Sequence, residues 1–414
     1  AYANGSTKKA SANGLSLAGA TKLTLLKDVS DFSYSFTALD KLADNFVLDL
    51  GGHILSGKTT ASTNVLSIGV PMTIKNGAIK YTSSNTGSGA LYTSADVTIA
   101  SDAVIDGGVG YAVWTDGYGH TLTVYGKLTT EGDYAVTSNG SENGGEIAEC
   151  NIVVNGNAEI SAPNGVGIYH PELGTVTVNG GTINAHTGIQ MCAGKLVVNG
   201  GEIISTGDNL DATGSQNAIL DGAAVSVICR NYPGGTPALA INGGTIKATG
   251  KNALAVKAYD YTNNEAAEWK NAGEYVNISG GTFSSEIAEN LCENGYFPAK
   301  NSDGTYSVAA AVVVRYTVDG NEDGMVCEYD AADLQAAIEE ILDAAEMREA
   351  TAVRLALYTD VDLGEEEITV PAGVTLTFDL NGHTLTAGSF TVSGDVTVTD
   401  GEGAGALNAT ASLE

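Results

Sequence analysis

Along residues 20–310, apolar and polar residues alternate in short runs, and run after run closes on glycine. The clearest runs are Thr175-Val-Thr-Val-Asn-Gly-Gly181, Leu196-Val-Val-Asn-Gly-Gly201, Leu239-Ala-Ile-Asn-Gly-Gly244 and Val276-Asn-Ile-Ser-Gly-Gly281. Weaker copies are Met72-Thr-Ile-Lys-Asn-Gly77, Val104-Ile-Asp-Gly107, Leu122-Thr-Val-Tyr-Gly126 and Ile152-Val-Val-Asn-Gly156. A period of two means a strand with one face buried, and the glycine supplies the turn that ends it. Marking each copy by its glycine gives positions 52, 77, 107, 126, 156, 180, 200, 243 and 280, with steps of 25, 30, 19, 30, 24, 20, 43 and 37. The 43-residue step reads as two coils, with Gly222 near its middle. Strand repeats of this length with almost no helical pattern predict a solenoid. Three short strands per turn fit an all-β parallel β-helix of about ten or more coils, with inward Val, Ile and Leu stacked into one core.

A larger repeat overlies this one. Leu48-Asp-Leu-Gly-Gly-His-Ile-Leu-Ser-Gly57 matches Phe378-Asp-Leu-Asn-Gly-His-Thr-Leu-Thr-Ala387. Upstream, Leu23-Thr-Leu-Leu-Lys-Asp-Val29 matches Leu355-Ala-Leu-Tyr-Thr-Asp-Val361. One helical pattern stands apart, at 330–349, where Leu334, Ile338, Ile341 and Leu342 share a face opposite the acidic residues. That stripe suits a cap over the open end of a second β-helix. The expected organisation is an N-terminal extension (1–19), a β-helix module (20–308), a linker with the helical cap (309–350) and the first coils of a second module (351–414). The closing Leu413-Glu414 reads as a cloning scar, and the chain as a fragment of a longer protein.

Composition narrows the class. Glycine is 53 of 414 residues without a Gly-X-Y period, which excludes collagen. A net charge of −30 makes nucleic acid and anionic membrane poor partners. No apolar run reaches the length of a membrane span. With four arginines, Arg230, Arg315, Arg348 and Arg354, the chain has little with which to clamp an acidic polysaccharide. The acidity reads as the solubility of a secreted or surface-attached protein. Cys150, Cys192, Cys229, Cys292 and Cys327 are odd in number and lack CxxC spacing, which excludes a full disulfide framework. Cys292 and Cys327 are a candidate pair, but buried thiols are the simpler expectation.

The stretch Ile278-Ser-Gly-Gly-Thr-Phe-Ser284, followed by Cys292-Glu-Asn-Gly-Tyr296 and Asn301-Ser-Asp-Gly-Thr-Tyr-Ser-Val308, resembles a module ending of large exported proteins of gut clostridia. The Asp-Leu-Asn-Gly-His-Thr-Leu opening resembles the first coils of the same proteins. The resemblance spans nearly all of 20–400 and implies a pectate-lyase-like right-handed parallel β-helix on a cell surface. Some such proteins capture host immunoglobulin or mucin, which makes a host glycan, a mucin-type glycoprotein or an immunoglobulin the expected partner class.

Catalytic strings are missing. The chain holds no Asp-Asp, Asn-Thr-Asp, Gly-His-Gly or Arg-x-Lys. Asp106, Asp116 and Asp133 fall on neighbouring coils, but each adjoins a glycine and reads as a turn residue. The histidines His53, His120, His170, His186 and His383 form no HxxxH or HExxH pair, so neither a zinc site nor any other cofactor is expected. His53 and His383 occupy equivalent positions in the larger repeat, which assigns them to a turn.

One column carries a candidate site. Ala90-Leu91-Tyr92, Ala112-Val113-Trp114, Ala135-Val136-Thr137, Gly167-Ile168-Tyr169 and Gly188-Ile189-Gln190 align with the middle residue in the core. Strand alternation then sets Tyr92, Trp114, Thr137, Tyr169 and Gln190 in an exposed ladder, with His170, Tyr111 and Tyr134 close by. Exposed aromatics among small residues suit sugar stacking or a protein contact, and lateral stacking within the solenoid is the plainer alternative. A second aromatic group, Tyr259, Tyr261, Trp269 and Tyr275, reads as a loop packed on the coils. The expected function is a non-catalytic surface module, an adhesin or stalk segment, whose neighbouring modules add reach and avidity. A polysaccharide lyase or hydrolase and a passive spacer are the alternatives. Ice binding is disfavoured because Val153 and Val197 interrupt the column of Thr98, Thr123 and Thr177, and because uneven steps give no flat lattice.

Overall fold

The computed structural model describes residues 2–3, 7–8, 17–59, 62–209, 218–293, 296–301, 303–310, 314–318 and most of 352–413. The helical segment 330–349 and the Cys292–Cys327 pairing fall outside the described residues. By internal contacts the chain forms two units, Ala1–Leu291 with Lys300–Ser307, and Cys292–Ala299 with Val308–Glu414.

The first unit is a parallel β-helix. Each coil lays one strand into each of three parallel columns. The first column stacks Lys22–Thr24, the starts of Phe46–Gly57 and Met72–Lys80, Val97–Ile99, the ends of Tyr118–Val124 and Glu149–Val154, Thr175–Val178, Lys195–Val198, Ala238–Ile241 and Val276–Ile278. The second runs from Val29–Phe32 to Thr282–Phe283. The third runs from Tyr34–Phe36 to Val256–Asp260. Alternate residues of each strand point inward, two per strand in the first column, as with Leu122 and Val124 or Leu196 and Val198. Ile74, Ile99, Val124, Val154, Val178, Val198, Ile241 and Ile278 are fully buried in the first column, and Ile79, Ile105, Leu128, Ile160, Ile183, Ile203 and Ile246 in the second. Burying such a side chain contributes about 1.5–3 kcal/mol, and repetition makes one continuous core.

The Asn-Gly-Gly phrase has a specific cause. Asn179 donates to Asn155 at 2.9 Å, Asn199 to Asn179 at 2.8 Å and Asn242 to Asn199 at 2.8 Å, each through its side-chain amide. These residues form a ladder up the turn after the first column. The second glycine has positive φ, +86° at Gly201, and a Cβ there would lie 2.8 Å from the backbone of Gly180 one coil below. Glycine is required on both counts.

Two expectations about coil register are corrected. Lys195–Val198 pairs directly with Ala238–Ile241, so the 43-residue step is a single coil carrying insertions outside the first two columns. Val104-Ile-Asp-Gly107 lies in the second column, paired with 78–80 and with Lys127–Thr129. Both columns end in glycine turns, and the local pattern does not separate them. Because insertions leave through the turns, the first column stays in register: Thr98 pairs with Thr123, Thr123 with Val153, Val153 with Thr177 and Thr177 with Val197.

At each end of the first unit one column is closed by antiparallel pairing. Tyr2–Ala3 pairs with Lys22–Thr24, and residues 306–307 pair with Thr282–Phe283. Such pairing blocks further strand addition at those edges. At the first coil, Leu25, Phe36, Leu48 and Leu55 bound an apolar pocket of about 550 Å³ where the core column begins.

The second unit repeats the opening register. Leu355 pairs with Phe378 as Leu23 pairs with Leu48, and Ala356 with Asp379 as Thr24 with Asp49. The repeated histidines sit in matching turns. His53 Nδ1 lies 3.3 Å from Asp28, whose carboxylate accepts the Ile54 amide at 3.0 Å. His383 Nδ1 lies 3.7 Å from Asp360, which accepts the Thr384 amide at 2.7 Å. Asp49 and Asp379 each accept an amide two residues on, from Gly51 and Asn381. The Asp-Leu-x-Gly-His string is therefore a turn device in both places.

Candidate functional site on the outer face of the third column

The ladder read from the sequence is present, and it is longer than the sequence reading made it. Ser35 pairs with Ser67, Ser67 with Tyr92, Tyr92 with Trp114 and Trp114 with Thr137. Val136 pairs with Ile168, which sets Thr137 beside Tyr169, and Tyr169 pairs with Gln190. Leu91, Val113, Val136, Ile168 and Ile189 are all fully buried behind it. Coil spacing places successive members about 4.8 Å apart.

Side-chain size along this ladder shapes the surface. Ser35 and Ser67 are small, Tyr92 and Trp114 large, Thr137 small and Tyr169 large. Two depressions result, and Trp114 borders both. The larger, about 440 Å³, lies over the serines and is lined by Ser33, Ser35, Asn64, Ser67, Tyr92 and Trp114, with Tyr111 beside them. The smaller, about 160 Å³, lies over Thr137 and is lined by Trp114, Tyr134, Asn139, Tyr169 and Tyr232.

The rings are held in place. The Tyr92 hydroxyl donates to Asp116 Oδ2, and Asp116 Oδ1 accepts the Gly117 amide at 2.9 Å. Tyr111 donates to Asn64 Oδ1 at 2.7 Å, and the same oxygen accepts the Gly89 amide at 3.0 Å. Tyr111 crosses the coil below where Gly89 leaves room, since a Cβ there would meet the Tyr111 ring at 2.4 Å. The Tyr111 and Trp114 rings are 5.2 Å apart, and those of Tyr134 and Tyr169 are 5.5 Å apart. Burial pushes the Tyr111 hydroxyl up to about 12. Burial, reinforced by the Asp116 carboxylate, raises that of Tyr92 further. Both remain protonated donors at physiological pH.

Exposure is the point at which the structure departs from expectation. Tyr92 and Trp114 are partly exposed, but Thr137, Tyr169, Gln190 and His170 are buried. For Tyr169 and Gln190 the cause is the insertion in the 43-residue coil. Gln190 donates to the Ile219 carbonyl at 2.7 Å and accepts the Ile219 amide at 2.8 Å, which pins the insertion across the ladder. The Gly222 amide donates to Thr187 at 3.1 Å, and buried Asp221 accepts from Ser226 at 2.6 Å and Tyr259 at 3.1 Å. Tyr169 thereby joins a second apolar layer with Cys192, Ala218, Ile219, Ile228, Tyr259 and Tyr261. Its hydroxyl lies 3.2 Å from that of Tyr232, at the edge of the smaller depression. Tyr259 is on the strand Val256–Asp260 and is not a loop residue, while Trp269 stacks on Tyr275 at 5.5 Å.

His170 points inward, as alternation after Tyr169 requires. Its Nε2–H donates to the Cys150 carbonyl at 3.0 Å, and burial lowers its pKa. Nearby Glu172 is fully buried and accepts the Thr115 hydroxyl at 3.3 Å. Burial pushes its carboxyl up to about 8, against the opposing pull of the Ser138 and Thr115 hydroxyls. Neither His170 nor Glu172 lines the depressions.

Of the expected residues, Tyr92 and Trp114 share the larger depression, and Trp114, Thr137 and Tyr169 share the smaller. Gln190 and His170 belong to the packing behind. Ser35 and Ser67 escaped the sequence reading, although extending the alignment two coils earlier to Tyr34-Ser35-Phe36 and Leu66-Ser67-Ile68 finds them. Asn64 and Tyr232 lie in turns and carry no such signal. Asp106 accepts the Gly108 amide at 2.9 Å and pairs with Lys80 at 3.2 Å, so it serves its own turn. Among the described residues, no group of three or more His, Cys, Asp or Glu is placed to hold a metal ion.

No family model, curated protein or solved structure matches this chain.

Proposed function

We propose that this chain is a non-catalytic extracellular surface module that holds a glycan or glycoprotein against the outer face of the third column. The observation that carries this reading is the paired depression around Trp114. A partly exposed indole stands between two hollows whose walls are tied-down tyrosines and small hydroxyl residues. Rigid aromatic surface with a few placed polar groups is what a binding site requires. Glycosidic hydrolysis instead needs two carboxylates flanking the scissile bond, and neither lining contains Asp or Glu. The larger repeat supports a role in a tandem array, where several weak sites act together. The resemblance to exported gut-clostridial proteins supports the location.

The test is an array of mucin glycans, plant glycans, matrix proteins and immunoglobulins probed with wild type and with Trp114→Ala. Specific retention should fall at least about tenfold in the variant, the loss expected of a central aromatic anchor. Its thermal midpoint should stay close to that of wild type, because the indole is outside the core. Retention unchanged by the substitution, or reducing-sugar release from any polysaccharide, defeats the reading.

A further inference from the structure

Resting on that reading, we infer that the ligand is an uncharged oligosaccharide of at least two sugar units, laid along the ladder across Trp114. Three observations converge on this class. First, the linings of both depressions contain no Asp, Glu, Lys, Arg or His. The one guanidinium seen behind a lining ring, Arg230 over Tyr232 at 5.3 Å, is stacked on Tyr232 and Tyr261, so an anionic glycan would find no cation in the linings themselves, and the chain's net charge of −30 would repel it. Asp116, behind Tyr92, is engaged by the Tyr92 hydroxyl and the Gly117 amide, so a cationic ligand would find no carboxylate in the linings themselves.

Second, the polar groups suit hydroxyl partners. Ser35 and Ser67 bring hydroxyls that both donate and accept, as sugar hydroxyls do, and the Ser33 hydroxyl, which donates to the Asn64 carbonyl at 2.9 Å, can still accept. The hydroxyls of Tyr92 and Tyr111 are already committed as donors to Asp116 and Asn64. What these two rings offer a ligand is chiefly apolar surface, which matches the C–H face of a pyranose. Hydroxyls on one side and ring faces on the other describe a sugar better than a peptide, whose side chains would need pockets of their own.

Third, the two hollows set the ligand's length. The larger, at about 440 Å³, falls within the range of small-molecule sites, while the smaller, at about 160 Å³, falls below it. A single sugar reaches only one hollow. A second unit on the far side of the shared indole reaches the hollow over Thr137 and gains contact without a second association cost. Affinity should therefore rise with length and level off once both hollows are filled.

The experiment uses the full chain and isothermal titration. Neutral oligosaccharide series of one to several units, from cellulose, xylan and desialylated mucin, are compared with sialylated, sulfated and uronate counterparts. The expected result is binding by at least one neutral series, with a gain of about tenfold or more from the single sugar to the trimer and little change on adding salt. Ser67→Trp should fill the larger hollow and abolish binding. Thr137→Trp should fill the smaller and remove only the length dependence. Circular dichroism and thermal midpoints check that both variants fold. Preference for an anionic series, or equal affinity for one unit and three, overturns the inference. Retention of deglycosylated mucin or immunoglobulin alone, lost in Trp114→Ala, also overturns it but leaves the binding-module reading standing. No binding to any probe overturns both.

Discussion

Glu172 shows what a single residue can impose on this fold. Its carboxyl is fully buried, and Oε2 has no hydrogen-bond partner among the described residues. Burial raises its pKa from 4.5 to about 8, so the folded chain keeps a proton that the unfolded chain releases. Folding therefore binds protons between these values. Glu172 costs nothing below the unfolded pKa, and it destabilises progressively as pH rises towards the folded one. The penalty is roughly 3 kcal/mol at neutral pH. Replacing Glu172 with Gln should leave stability near pH 4 almost unchanged and raise it by about 4 kcal/mol near pH 8, read from urea midpoints. An equal shift at both values would assign the effect to packing. His120 and His170 act at the other end. Both are buried with lowered pKa values, so the unfolded state gains protons as pH falls through the ordinary imidazole range, and stability drops with it. None of this was legible in the sequence. Glu172 sits in Pro171-Glu172-Leu173 with nothing local to mark it as interior.

At the scale of the element, the repeated Asn-Gly-Gly phrase and the outward ladder show how far local pattern reaches. The phrase identified the turn, and its physical content is the asparagine stack. Asn199 both donates to Asn179 and accepts from Asn242, whereas Asn155 accepts from Asn179 at the start of the run. Asn199→Ala should lower stability by about 1–2 kcal/mol and Asn155→Ala by about half as much, measured by chemical denaturation. Equal losses would argue that each side chain acts through its own turn alone. The outward ladder was legible as alternation, since Leu91, Val113, Val136, Ile168 and Ile189 announce the inward face. Exposure was not. Gln190 looks like a surface residue in any strand pattern, and only the return of Ile219 across it turns it into a buried clasp. The second-column run ending at Gly107 misled for a related reason. Two columns end alike, and only pairing between coils tells them apart.

At the scale of the molecule, the dominant quantity is charge. Forty-nine acidic residues face nineteen basic ones. Pairs such as Lys22–Asp49 at 2.6 Å and Lys127–Glu159 at 2.8 Å neutralise a few of them. The surplus repels itself, and a folded chain holds those charges closer together than an unfolded one. Raising neutral salt from about 0.01 M to about 0.15 M shortens the screening length from about 30 Å to about 8 Å, and the thermal midpoint should rise with it. A midpoint that falls would mean that surface ion pairs outweigh the repulsion. The same field favours an uncharged ligand on the third column, so the whole-molecule charge and the lining of the site point the same way.

The sequence alone determined the solenoid, the inward residues of each column, the turn glycines and the equivalence of the two Asp-Leu-x-Gly-His turns. Each rests on interactions within one strand or between like strands, and periodicity reports those directly. Tertiary structure decided the coil register across the 43-residue step, the burial of Tyr169 and Gln190, and the two hollows at Trp114. These depend on where inserted segments return and on which residues stack from coil to coil. Contacts of that kind join positions 29 to 63 residues apart, such as Gln190 and Ile219, Tyr111 and Asn64 or Tyr169 and Tyr232, and leave no period in the chain.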